Sequence, residues 1–207
     1  DLSKRPDFAP PFAYATHCPE CGTALERNPG EALHYCPNVT GCPPQIKGKL
    51  EHFISRKAMN IDGLGAETVA QLYDEGLIRN VADIYDLNRE QLLVLDRMAE
   101  KSVSNLLQGV EASKAVPFER VLYALGIRHV GETMAKKLAR YFGNIDALAG
   151  AGMEELLSVE DVGEAIACSV MDWYANSENV QVVNRLREKG LQLETEKTSS
   201  GEGILAG

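Results

Sequence analysis

The stretch that decides the fold is IRHVGETMAKKLARYFG, residues 127–143. An apolar residue, Val130, is followed at once by Gly131, and a helical run then leads to Gly143, a residue suited to a helix stop. The same pattern of a small residue after an apolar one recurs in IDGLGAETV (61–69), LDRMAEKSV (95–103) and VEDVGEAIA (159–167), as Leu64-Gly65, Met98-Ala99 and Val162-Gly163. Successive small residues fall roughly 32 to 34 positions apart, the period of a duplicated supersecondary unit. The second and fourth copies align without a gap, Asn80 on Asn144, Leu92 on Leu156, Leu93 on Leu157 and Glu100 on Glu164, so a pair of units was itself duplicated. Each unit reads as helix, tight turn, helix. Gly76 ends the first as Gly143 ends the third, and Asn80, Asn88 and Asn144 are N-cap candidates, Asn88 with Gln91 three residues on. Strand signals are weak, and residues 59–194 are expected to be nearly all helix.

Glycine after the apolar residue has two expected uses: backbone angles barred to other residues, and room for another chain to approach. The amides of the turn and of the next helical turn then point outward unpaired. With the positive end of the helix dipole they make an anion site that needs no side-chain charge. Phosphate is the natural ligand. The residues expected to meet it are Gly63, Gly65, Thr68, Lys101, Ser102, Gly131, Thr133, Lys136 and Gly163, with Lys137 close by. The alternative is that such turns only pack helices, and four copies in register weigh against it. The units are not equal. Gly63 gives the first the full G-x-G pattern, whereas Arg97, His129 and Asp161 stand at the matching positions. Ala99 lacks the open backbone of glycine, which makes the second unit mainly structural, and Asp161 and Glu164 put negative charge in the fourth.

Composition constrains the partner. The chain has 207 residues, 44% of them hydrophobic, enough for one large core or two smaller ones. A formal charge of -9 is the wrong sign for gripping nucleic acid through bulk charge, so contact through amides and a few local cations is the consistent alternative. No apolar run approaches the ~20 residues that cross a bilayer, and the start lacks the pattern of a signal peptide. The chain reads as cytosolic, and Asp1 and the tail TEKTSSGEGILAG suggest a piece of something longer.

Four of the five cysteines crowd into HCPECGTALERNPGEALHYCPNVTGC, residues 17–42. Cys18 and Cys21 form a C-x2-C knuckle, and Cys36 and Cys42 complete a set of four thiolates able to close a tetrahedron around a structural zinc. Two disulfides or four buried free thiols are the other readings. His17 and His34 are expected to be neighbours of the cluster, and Cys168 a core residue. Residues 45–58 are expected to form an amphipathic connecting helix, with Ile46, Leu50, Phe53 and Ile54 inward. Lys47, Lys49, Arg56 and Lys57 then lie on a solvated face, and His52 is ordinary surface.

The cysteine spacing, the linker HFISRKAMNIDGLG and the four repeats together resemble the post-catalytic half of the bacterial NAD-dependent DNA ligases. FERVLYALGIRHVGETMAKKLARYFG is similar to that family's third helix-hairpin-helix unit, and the likeness runs from His17 to about Leu193. It implies a mainly α fold, with a small four-cysteine zinc finger (16–44), a connecting helix (45–58) and a tandem, four-unit helix-hairpin-helix DNA-binding domain (59–194). Residues 1–15 resemble the link from a preceding OB domain, and 195–207 a tail leading to a BRCT domain. In the family, a lysine in a K-x-D-G motif attacks NAD, takes up AMP and passes it to the 5' phosphate of a nick. No K-x-D-G occurs here, so no catalytic or NAD-binding residue is expected in this chain. The resemblance implies nicked duplex DNA as partner, zinc as the metal held here, and NAD and magnesium as cofactors of the parent enzyme. It also implies contact with the parent's adenylation, OB and BRCT domains and a place near the bacterial nucleoid. A free-standing helix-hairpin-helix module of a repair or recombination protein is the alternative.

Overall fold

A computed structural model describes residues 14–27, 30 and 32–195; the expectations for 1–13, for 28, 29 and 31 within the zinc finger, and for 196–207 lie outside them. The chain divides into two compact units, with the break between Ile46 and Lys47. No strand of more than isolated bridges is present among the described residues, and the fold is mainly α.

The first unit is built of turns. Backbone bonds from Leu25 to Thr16 and from Cys18 to Thr23 close a tight loop, and Glu26 and Tyr35 exchange a pair of bonds in a second. A helix, α1 (Pro43–Ile54), starts at the end of this unit and runs on into the next. It begins two residues before the expected connecting helix, because proline is at ease in a first turn whose amides have no partners. Ile46, Leu50, Phe53 and Ile54 are buried as the periodicity requires.

The second unit contains the repeats. In the first, α1 leads through a turn to α2 (Ala66–Asp74). A 3-10 turn (Val81–Asp86), α3 (Arg89–Leu93) and α4 (Glu100–Ser113) form the second. The third pairs α5 (Phe118–Ala124) with α6 (Glu132–Phe142). The fourth has α7 (Ile145–Gly150), α8 (Met153–Leu157) and α9 (Glu164–Ala175), and α10 (Ser177–Glu188) follows. The gapless alignment of the second and fourth repeats shows in matching caps and burial. Asn80 and Asn144 each cap a helical start, Leu92 and Leu156 are fully buried, and Leu93 and Leu157 are exposed. Asn88 and Gln91 form the anticipated capping box. Gly76 and Gly143 end their helices at φ 74° and 73°.

Two side chains depart from expectation. Cys168 is exposed on α9 rather than in the core, whose contacts on that helix are made by Ala167 and Val170. His52 is half-buried: its Nε2 donates to the carbonyl of Tyr123 at 2.8 Å, and the two rings meet edge to face. Its partner lies far along the chain, where no local pattern announces it.

Candidate metal centre and nucleic-acid interface

In the first unit, the knuckle turns at Gly22 (φ 71°), whose amide bonds the Cys18 carbonyl. The second pair of cysteines is set by Asn38: its side chain accepts from Gly41 and its carbonyl from Cys42. Gln45 fixes the Cys36 carbonyl at 2.8 Å. The four Sγ atoms lie within 4.8 Å of one another, with Cys18 to Cys42 at 3.8 Å and Cys21 to Cys36 at 3.5 Å. A tetrahedral zinc with bonds of about 2.3 Å separates its sulfurs by about 3.8 Å, so the donor set fits. All four cysteines are free thiols, at distances that exclude the disulfide reading. Neither His17 nor His34 joins the cluster. The Thr23 hydroxyl lowers the Cys21 thiol to about 6, while burial raises Cys36 and pushes Cys42 up to about 12. Such mixed thiols become a uniform set of thiolates only when a cation replaces their protons.

In the second unit, the four hairpins share one backbone trace. The left-handed residue is the first of each motif, Gly63 (φ 83°), Arg97 (62°), His129 (65°) and Asp161 (64°). The small residue two positions later is extended, from φ -78° at Gly131 to -106° at Gly65. This corrects the expectation that Gly65, Gly131 and Gly163 supply forbidden backbone angles. Ala99 takes the same path (φ -88°, ψ 164°), so the second hairpin keeps the shape of the others. The reason is the turn itself: Met98, Val130 and Val162 bond back to Leu95, Ile127 and Val159, and the residue before the plug makes the reversal. Leu64, Val130 and Val162 are buried as plugs; Met98 is only half-buried.

Glycine at the second position serves the other purpose. A Cβ at Gly65, Gly131 or Gly163 would meet nothing within 4 Å, so no internal packing demands glycine there and the backbone faces open space. The helices that follow begin without a side-chain cap, whereas those starting at Asn80, Asn88, Asn144 and Asn176 are capped. In α2, α4 and α6 the first amide bonded back is that of the fourth residue, Val69, Val103 and Ala135. The amides ahead of it have no carbonyl to reach. An open depression lined by Ser55, Arg56, Asn60, Gly63 and Gly65 lies in front of the first hairpin.

The anticipated side chains are placed unequally. Gly63, Gly65, Lys101, Ser102, Gly131, Thr133, Lys136 and Gly163 are exposed or nearly so, and Thr68 is half-buried. Lys136 pairs with Glu132 at 3.1 Å. Lys137 is engaged at the surface by Asp161 and, at 3.0 Å, by Glu160, and these bonds raise its pKa. It ties α6 to the fourth hairpin rather than standing ready for a ligand. Gly109 carries no signal in the sequence. A Cβ there would sit 2.5 Å from the Asp62 carbonyl oxygen, so this helical glycine is what lets α4 lie against the first hairpin.

A four-thiol module and paired helix-hairpin-helix motifs are the class that fold and sites define. Residues 17–43 match the NAD-dependent DNA ligase C4 zinc finger domain, 55–112 a SAM-like helix-hairpin-helix tandem, and 120–183 a helix-hairpin-helix motif. The chain is similar to the DNA ligase of Flavobacterium psychrophilum, with 60% identity over 93% of this chain and 29% of that protein. To the DNA ligase of Christiangramia forsetii it is 54% identical over 100% of this chain and 32% of the relative. The DNA ligase of Phocaeicola vulgatus is 56% identical over 91% and 28%. The chain thus carries the zinc-finger and helix-hairpin-helix segment of the NAD-dependent DNA ligases, and it spans under a third of the length of the curated relatives it matches.

Proposed function

We propose that this segment grips nicked duplex DNA, without regard to base sequence, through the amides of its hairpins, so that the parent ligase can seal a 5'-phosphate/3'-hydroxyl nick in replication and repair. The observation that carries the reading is the pairing of uncapped helix starts with glycines that have open space before them. Phosphate oxygens are strong acceptors, and a helix start offers several donors and a favourable dipole at one point. Such contacts fix position on the duplex and carry no sequence information. Zinc held by Cys18, Cys21, Cys36 and Cys42 has a structural role, since a closed four-sulfur shell leaves no place for water or substrate. NAD, magnesium and the nucleotidyl-transfer lysine belong to the parent enzyme, whose adenylation, OB and BRCT domains are the intramolecular partners. The nucleoid is the corresponding place of action.

The test is equilibrium binding of a nicked duplex to Gly65→Glu and Gly131→Glu. Each places a bulky anion where phosphate is to sit, at a position where an added Cβ meets no protein atom within 4 Å. Affinity falls at least tenfold, that is by about 1.4 kcal/mol, while the helical circular dichroism is retained. Unchanged binding by both variants would remove the reading.

A further inference from the structure

The basic residues that follow α1, Arg56 and Lys57, are exposed, and their bonding partners come from the third repeat. The Arg120 guanidinium, on α5, donates to the carbonyls of Arg56 at 2.7 Å and Lys57 at 3.2 Å, which fixes the backbone of this short segment. Arg56 lines the depression before the first hairpin, where Glu51 and Asp62 also stand, together with Gly63 and Gly65. Lys57 reaches the other way: its Nζ lies 3.5 Å from Oε2 of Glu132, the first residue of α6 at the third hairpin. The other oxygen of the same carboxylate takes Lys136 Nζ at 3.1 Å. One carboxylate therefore holds two lysines beside the uncapped start of α6. The lysine side chains are 74% and 56% exposed, within reach of an outside anion.

We infer that Lys57 and Lys136 form a cationic phosphate subsite at the third hairpin, and that the Glu132 carboxylate occupies it in the free protein as an internal stand-in for phosphate. The inference rests on the reading of this segment as a DNA grip and adds to it the residues that supply local positive charge. A carboxylate between two ammonium groups has the charge and the acceptors of a backbone phosphate. Exposed ion pairs of this kind are weak, so an incoming phosphate displaces it at little cost. The arrangement also lets a chain of charge -9 present cations to DNA locally: two lysines are kept in position by a removable partner.

The experiment measures binding of a nicked duplex to the whole chain over a series of potassium chloride concentrations. Lys57→Ala weakens binding roughly threefold and lowers the salt slope by about one, the signature of a single lost phosphate contact. Glu132→Gln, which keeps the size of the side chain and removes its charge, tightens binding by a similar factor. Lys114→Ala, a lysine that pairs with Glu111 on its own helix, serves as the control and changes neither quantity. If Lys57→Ala and Glu132→Gln match the wild type while Gly131→Glu still loses affinity, the subsite is wrong and the hairpin reading stands. If the wild-type chain shows no affinity at any salt concentration, both fall together.

Discussion

At the scale of single residues, the hairpins separate two jobs that the sequence shows as one. Small residues at 65, 99, 131 and 163 are legible because a missing side chain leaves a mark in the sequence. The left-handed residues at 97, 129 and 161 are not, since arginine, histidine and aspartate carry no such mark and endure a conformation costing about 1–2 kcal/mol because the turn around them demands it. Gly109 is equally silent, its reason being a backbone atom from another repeat. Gly109→Ala gains helix propensity of up to about 1 kcal/mol but forces a Cβ onto the Asp62 carbonyl. Overpacking of this kind costs about 1–3 kcal/mol, and a backbone oxygen yields less readily than a side-chain tip. A net loss of stability is expected, read as a lower urea midpoint with an unchanged m-value; a midpoint at or above wild type would show that the two elements separate freely.

At the scale of elements, the metal module and the helices draw on different sources of stability. The described residues between 16 and 42 have loops and isolated bridges, and the buried ones among them are Cys18 and Cys42, so their order depends on the metal joining them. The cysteine spacing makes this legible without any structure, whereas the supporting bonds from Asn38 and Gln45 do not follow from it. Chelation is expected to unfold this module while the far-UV signal of α2 to α10 persists. Zinc uptake by the reduced, metal-free chain releases protons, because Cys36 and Cys42 are both raised and hold theirs at neutral pH. Protons and metal compete for the same sulfurs, so apparent zinc affinity rises with pH and falls as the solution is acidified. Calorimetry in buffers of different ionisation enthalpy reads the proton count; uptake without release would contradict a four-thiolate site.

At the scale of the whole helical unit, the pairwise duplication poses a problem of assembly, which α10 addresses. Its Arg185 donates to Asp83 at 2.7 Å and Asp86 at 2.5 Å beside the second repeat, with Lys189 also on Asp86. Arg187, two residues on, reaches Asp146 on α7 of the fourth repeat at 2.6 Å. Between them Leu186 is fully buried, and Val183 nearly so. One helix thus holds a repeat from each pair, through an apolar edge flanked by cations. Leu186→Ala is expected to cost about 2–5 kcal/mol, as for a buried leucine whose site collapses only partly. Asp86→Asn is expected to cost on the order of 1 kcal/mol or less, since its carboxylate is half exposed and screened. The Asp86 pKa is lowered, first by the hydrogen bond from Lys189 and then by Arg185. A lowered carboxylate adds stability above its unfolded value of 3.8 that is lost as pH falls through the folded one, so the docking of α10 weakens only in acid. Denaturation at pH 7 and pH 3 tests this: the gap between wild type and Asp86→Asn narrows at the lower pH, while the Leu186→Ala deficit, which involves no charge, stays. An equal narrowing for both variants would mean that α10 is held by its ion pairs rather than by its buried edge.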